Sequence, residues 1–192
     1  WPNCDHNCNF ACNGGFGTAA LAFAEQDEEL AKRVIDASIK GIEGAMESYG
    51  DNGGWDESIT YWKYGTQYLY QYLQAIDSAT GVDYGYMDIP SIGNTSLFPM
   101  YMSTKNGVIG YGDGDPHSLL SINESSYAAK KLKDKGYLNL RIHQIDDWDM
   151  PVRVEDLLFY TPDGYEKETD WDLDAYFDTT ETLSFKGSWI DP

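Results

Sequence analysis

Cys4, Cys8 and Cys12 recur at every fourth residue of CDHNCNFACNGG, with His6 among them. Soft ligands so spaced raise a metal centre first. On a helix the three thiols would share one face while His6 points away from it, and structural zinc asks for four convergent ligands. No second Cys/His pair follows, because His117 and His143 stand alone. The spacing is therefore read as small, packed, unpaired cysteines, and three of them cannot all pair within one chain. Asp113 and Asp115 in GDGD stand two apart, as calcium ligands do. A structural divalent cation there would need further oxygen ligands that the following PHSLLSIN does not provide. Asp56 and Glu57 could be imagined as a glycosidase pair, a chemistry that needs two carboxylates facing each other across a sugar. Tyr61 and Tyr64, in TYWKYGTQY, fall one helical turn apart just after a glycine-rich loop that lets backbone approach a ligand. A helix start also offers free N–H groups to an anion. Periodicity alone assigns both tyrosines to the core.

These residues need elements to position them. A helix is expected from about Asn9 to Phe23, small and apolar in its second half (GTAALAFA). A second follows in EQDEELAKRVIDASIKGIEGAMESYG, with Leu30, Val34, Ile35, Ile39, Ile42, Ala45, Met46 and Tyr49 at helical period. Acidic residues crowd its start and Gly50 follows its end. GDNGGWDE, residues 50–57, reads as loop. A third helix is expected from Ser58 to Ala79, with Tyr61, Tyr64, Tyr68, Leu69, Tyr72, Leu73 and Ile76 inward and Thr80-Gly81 as its stop. The second and third then form an antiparallel hairpin. Beyond Gly81 the pattern is irregular. A short helix is expected in PSIGNTSLFPMYMS and a strand or turn in GVIGYGDGDPHS. Further helices are expected at 121–135, 138–145 and 152–158, an acidic loop at 161–175 and a strand in TLSFKGSW.

The 192 residues are enough to bury a core, and 42% hydrophobic with 15% aromatic content marks a folded chain. Fifteen tyrosines and six tryptophans suit a carbohydrate groove, where rings stack on sugar C–H faces and polar edges meet hydroxyls. A net charge of −19 speaks against nucleic acid and against an anionic membrane surface as partners. No apolar run approaches the roughly 20 residues that cross a bilayer. The chain begins Trp-Pro-Asn, so compartment is not read from a missing leader.

The stretches NFACNGGFGTAALAF and YGDNGGWDESITYWKYGTQYLYQYLQAIDSATG resemble the heparinase II/III-like polysaccharide lyases. The likeness covers residues 7–81, is looser over LFPMYMSTKNGVIGYGDGD, and resumes at LDAYFDTTETLSFKGSWIDP. It implies a mainly α fold, an incomplete (α/α) toroid of helical hairpins over residues 1–175. Residues 176–192 would then be the first part of a β-sandwich. The chain would be a fragment, inactive by itself and free to self-associate through faces that lack their neighbours. The resemblance favours a periplasmic or secreted location over a cytoplasmic one, and it implies no cofactor.

The chemistry it implies is β-elimination on an acidic, uronate-containing polysaccharide. By alignment, Tyr64 falls at the family's catalytic tyrosine, and Asn9 falls where several members carry a catalytic histidine. Asn9 could still hydrogen-bond the uronate carboxylate but could not carry a proton. Tyr64 would therefore act as both base and acid, or share the work with a residue outside this chain. Asn13, Glu57, Tyr61 and Trp62 are expected to position the sugar, and Trp55 to stack on a neighbouring ring. Two alternatives remain: a toroid that binds glycan without turnover, and a glycoside hydrolase using Asp56 or Glu57.

Overall fold

The computed structural model describes residues 4–104, 106–117, 125–160 and 171–189. The expected helix start at 121–124, the acidic loop at 161–170 and the terminal Asp191-Pro192 lie outside them. Among the described residues the protein is mainly helical, with two small antiparallel two-stranded sheets. It divides into two compact units, one of Trp1–Ser48 with Tyr61–Tyr86, the other of Tyr49–Thr60 with Met87–Pro192.

The first unit is built on α1 (Asn7–Phe23), α2 (Glu28–Met46) and, from Tyr61 on, α3 (Ile59–Thr80). Asp27 starts α2 by accepting a hydrogen bond from the Leu30 N–H at 3.0 Å, with Glu28 and Glu29 in the first turn at the positive dipole end. Gly81, at φ +71°, ends α3 by donating to the Asp77 carbonyl at 2.9 Å. A tight turn after Phe23 returns the chain antiparallel, and α1 and α2 pack along their length. α1 and α3 run parallel. Gly14 and Gly17 sit against Tyr68 and Tyr72, and Gly65 sits against Asn7 and Phe10. A Cβ on Gly14 would lie 2.7 Å from the Tyr68 carbonyl oxygen, so only glycine allows the approach.

The faces that periodicity assigns are buried in the C-terminal halves of α2 and α3, at Ile42, Ala45, Met46, Leu69, Tyr72, Leu73 and Ile76, while small residues take over toward their starts. α2 buries the small residues Ala31, Ser38 and Gly41 beside Ile42, Ala45 and Met46, while Leu30 is exposed. α3 buries Trp62, Gly65, Thr66, Leu69, Leu73 and Ile76, together with Tyr70 and Tyr72. Tyr64 consequently points to solvent, with Tyr61 and Tyr68 half-buried. The core assignment of Tyr64 is thus corrected: small residues, which a hydrophobic pattern ranks low, carry the helix contacts.

The second unit contains α4 (Pro90–Asn94), α5 (Phe98–Tyr101), β1 (Ser103–Thr104), β2 (Gly107–Val108), α6 (Ser125–Leu132), α7 (Lys135–Asp146) and α8 (Val154–Phe159). It closes with β3 (Asp174–Phe177) and β4 (Thr182–Phe185), paired Asp174↔Phe185 to Phe177↔Thr182. β3 therefore begins inside the segment expected to be loop. Phe177 anchors this hairpin edge-on against Phe98, with ring centroids 4.8 Å apart, and the Ser184 hydroxyl donates to the Tyr101 carbonyl at 2.9 Å. Asp134 starts α7, accepting from the Gly136 N–H at 2.9 Å and from the Trp171 indole at 3.2 Å. α6 packs on both α7 and α8.

Candidate functional site

Among the residues picked out by sequence, Asn9, Asn13, Tyr61, Trp62 and Tyr64 fall in the first unit, and Trp55, Asp56 and Glu57 in the second. Asn9 is buried where α1 meets α2. Its amide nitrogen donates to the carbonyls of Cys4 at 2.8 Å and Gly41 at 2.9 Å, and its oxygen accepts from the Asn13 amide at 3.0 Å. Both N–H groups are thus engaged by main-chain oxygens. Asn13 is half-buried, and its side chain occupies the space that a Cβ on Gly41 would need.

Tyr64 is 42% exposed, and its ring meets Tyr68 edge-on at 5.4 Å. Burial of the hydroxyl raises its pKa above the ordinary tyrosine value, and the neighbouring Tyr68, Cys8 and Cys12 raise it further. The phenol is therefore neutral at neutral pH. Cys8 and Cys12 lie on the α1 turns that face this part of α3. Cys4, the first in the series, precedes the helix. None of the three cysteines is in a disulfide, all three are half-buried, and among the described residues no group of three or more His, Cys, Asp or Glu could hold a metal ion.

An open cavity of about 780 Å³ runs along the α1–α2 surface. Asn13, Arg33 and Ser38 supply its polar lining, and Phe16, Leu30 and Val34 its apolar lining. Cys12 belongs to the same lining and is also one of the residues that raise the Tyr64 pKa. Arg33 and Tyr68 are the residues that sequence reasoning missed as site members. Tyr68 follows Tyr64 at i+4, which was a legible signal. Arg33 stands in an acidic helix as one of 13 basic residues against 32 acidic ones, yet its placement needed the α1–α2 crossing.

Trp62 and Trp55 are 0% and 1% exposed, which leaves neither a ring face to lay on a sugar. Trp55 packs on Tyr49 with centroids 5.0 Å apart, and its carbonyl accepts from the Tyr111 hydroxyl. Asp56 is exposed and Glu57 half-buried, with Gly112 packed against the Glu57 carbonyl. The glycine-rich loop serves packing. The Asp178 carboxylate accepts from the N–H groups of Asp51 at 3.2 Å and Asn52 at 3.4 Å, which holds its pKa below the usual carboxylate value. The Thr95 hydroxyl donates to the Gly53 carbonyl at 2.7 Å, and a Cβ on Gly53 or Gly54 would meet Thr95 or Thr179 within 2.6 Å. These glycines bring the loop onto its own chain, where sequence reading expected an approach to ligand.

No helix among the described residues is long and apolar enough to cross a membrane. Neither family models nor curated proteins match this chain.

Proposed function

We propose that the chain is part of a polysaccharide lyase that cleaves a uronate-containing polysaccharide by β-elimination, its helices belonging to an incomplete α/α toroid. The observation that carries this reading is an exposed, neutral phenol, Tyr64, with Cys12 linking its surroundings to an open cavity lined by Asn13 and Arg33. In β-elimination the C5 proton leaves, its electron pair forms the C4=C5 bond, the C4–O bond breaks, and the departing oxygen takes a proton. Tyr64 removes the C5 proton as phenolate and returns it to the leaving oxygen as phenol. Arg33 and Asn13 bind the uronate carboxylate, stabilising the charge that develops on it as C5 loses its proton. Tyr61 and Tyr68 flank Tyr64 on α3, where rises of roughly 4.5 and 6 Å along the helix space three rings along a glycan. Asn9, whose amide is committed to α1 and α2, acts by holding Asn13 in place.

Assay of the full-length protein against heparan, chondroitin, alginate and plant uronans should give a product with the ultraviolet absorbance of a C4=C5 bond. Because the raised pKa leaves the phenolate scarce, kcat/KM should climb with pH through the alkaline range. Tyr64→Phe should abolish the absorbance with helical content unchanged, and full activity in that variant would sink the assignment. Arg33→Met should raise KM by about tenfold or more.

The engagement of both Asn9 N–H groups favours a second reading, a toroid that binds acidic glycan without turnover. Binding that survives Tyr64→Phe, with no unsaturated product from the unmutated full-length protein, would select it. Product lacking the double bond would instead point to hydrolysis through Asp56 or Glu57.

A further inference from the structure

The short helix α8 is mounted inside out. Its acidic residue Asp156 is buried and clamped by Arg141, which is 1% exposed. Arg141 Nε donates to Oδ1 and Nη2 to Oδ2, each at 2.7 Å, and the Arg153 N–H donates to Oδ2 at 2.7 Å. Arg141 Nη2 also donates to the Pro151 carbonyl at 2.9 Å, which ties the turn before α8 to α7. A buried bidentate pair contributes little net stability but strongly penalises arrangements that separate it, so it fixes how the helix is turned. The side turned out is apolar. Val154, Leu157 and Leu158, at i, i+3 and i+4, are between 61% and 73% exposed, and Val152 and Tyr160 flank them, also exposed. An apolar helix face held toward water by a buried ion pair marks an interaction surface.

Charge selects the occupant. Asp146, Asp147 and Asp149 are exposed at the C-terminal end of α7 and the turn beyond it, a turn closed by Met150 N–H to the Gln144 carbonyl at 3.0 Å. Carboxylates there face the negative end of the helix dipole, which disfavours them in the isolated chain. His143 pairs with Asp147, and Arg153 is an exposed cation at the start of α8. A second copy would bring −19 against −19, and an anionic bilayer would be repelled. A cationic amphipathic segment satisfies both features at once. We propose that α8 and Asp146–Asp149 form a docking site for a basic amphipathic helix of a partner protein. Its apolar residues at helical spacing would lie on Val154, Leu157 and Leu158 while its Lys or Arg residues reach the three aspartates.

The test is fluorescence anisotropy of the full chain with a labelled peptide of roughly five helical turns, leucines on one face and lysines on the other. One comparison peptide replaces the leucines by serine at the same charge, and another replaces the lysines by glutamate. The leucine–lysine peptide should bind at least about tenfold more tightly than either comparison. Leu157→Ser with Leu158→Ser should lose at least about tenfold without changing the circular dichroism, because both side chains are already exposed. Asp146→Asn with Asp147→Asn and Asp149→Asn should weaken binding and flatten its salt dependence while leaving the apolar face intact. The proposal is overturned if the peptide fails to bind, if the serine peptide binds equally well, or if Leu157→Ser with Leu158→Ser has no effect. Concentration-dependent dimerisation abolished by that double variant would assign the face to a second copy. Loss of binding to phosphatidylglycerol vesicles in the same variant would assign it to a lipid surface.

Discussion

Replacing Asn9 by alanine removes a carboxamide whose nitrogen serves two main-chain carbonyls and whose oxygen serves Asn13. Buried partners left unsatisfied lose more than the hydrogen bond itself, so Asn9→Ala should lower unfolding stability by about 1–3 kcal/mol. Asn9→Asp should be worse at neutral pH, because it keeps the acceptor for Asn13 but turns a carboxylate toward the oxygens of Cys4 and Gly41. Urea titration of the three proteins decides this, and an unchanged midpoint in Asn9→Ala would leave the side chain available for a ligand. Asn9 could be located from sequence only as a residue able to meet a carboxylate, since an asparagine toward substrate and one toward a neighbouring helix look alike. Tyr64 erred in the other direction. Its spacing fitted a core position, but α3 meets α1 here through Gly65 against Asn7 and Phe10, and Tyr64 is left exposed.

That close approach joins whole helices, and glycines set it. Gly14 and Gly15 are adjacent in sequence but opposite in consequence. A Cβ on Gly14 would lie 2.7 Å from the Tyr68 carbonyl oxygen, while nothing lies within 4 Å of one on Gly15. Gly14→Ala should therefore push α1 off α3 and destabilise by about 1–3 kcal/mol. Gly15→Ala should stabilise by roughly 0.5–1 kcal/mol through helix propensity alone. Thermal melts of the pair check it, and equal effects would show that α1 and α3 do not depend on this contact. The positions of α1, α2 and α3 were legible because apolar period, the Asp27 cap and Gly81 all act locally. Their facing was legible only in the C-terminal halves of α2 and α3, where Ile42, Ala45, Met46, Leu69, Leu73 and Ile76 are buried as expected. Small residues carry contacts that depend on a helix two elements away, as Gly17 on Tyr72 does. The glycine-rich loop shows the same limit, because its anchors Thr95 and Asp178 lie far along the chain.

Summed over the chain, these burials give the molecule a specific alkaline profile. Lys186, with its amine 2.9 Å from the Ser103 carbonyl, has its pKa lowered by burial from the usual lysine value to about 8. Between that value and the unfolded one the unfolded chain holds a proton that the native chain has released, so stability rises with pH in that window. The tyrosines work in the opposite sense. Burial pushes Tyr72 and Tyr101 up to about 12. Tyr86 and Tyr111 are raised as well, Tyr86 also through its hydrogen bond to Glu43 at 2.9 Å. Above about pH 10 the unfolded chain loses phenolic protons that the native chain keeps, and stability falls. Several phenols outweigh one half-buried amine, and each proton released adds to a net charge already at −19. The urea midpoint at constant ionic strength should rise slightly from pH 8, turn over near pH 10 and then drop steeply. Lys186→Met should raise the midpoint at pH 7 and remove the rise without moving the drop. A midpoint that stays flat to pH 11 in both proteins would contradict the buried phenols, and a drop shared by a Tyr72→Phe variant would place its origin elsewhere than in Tyr72.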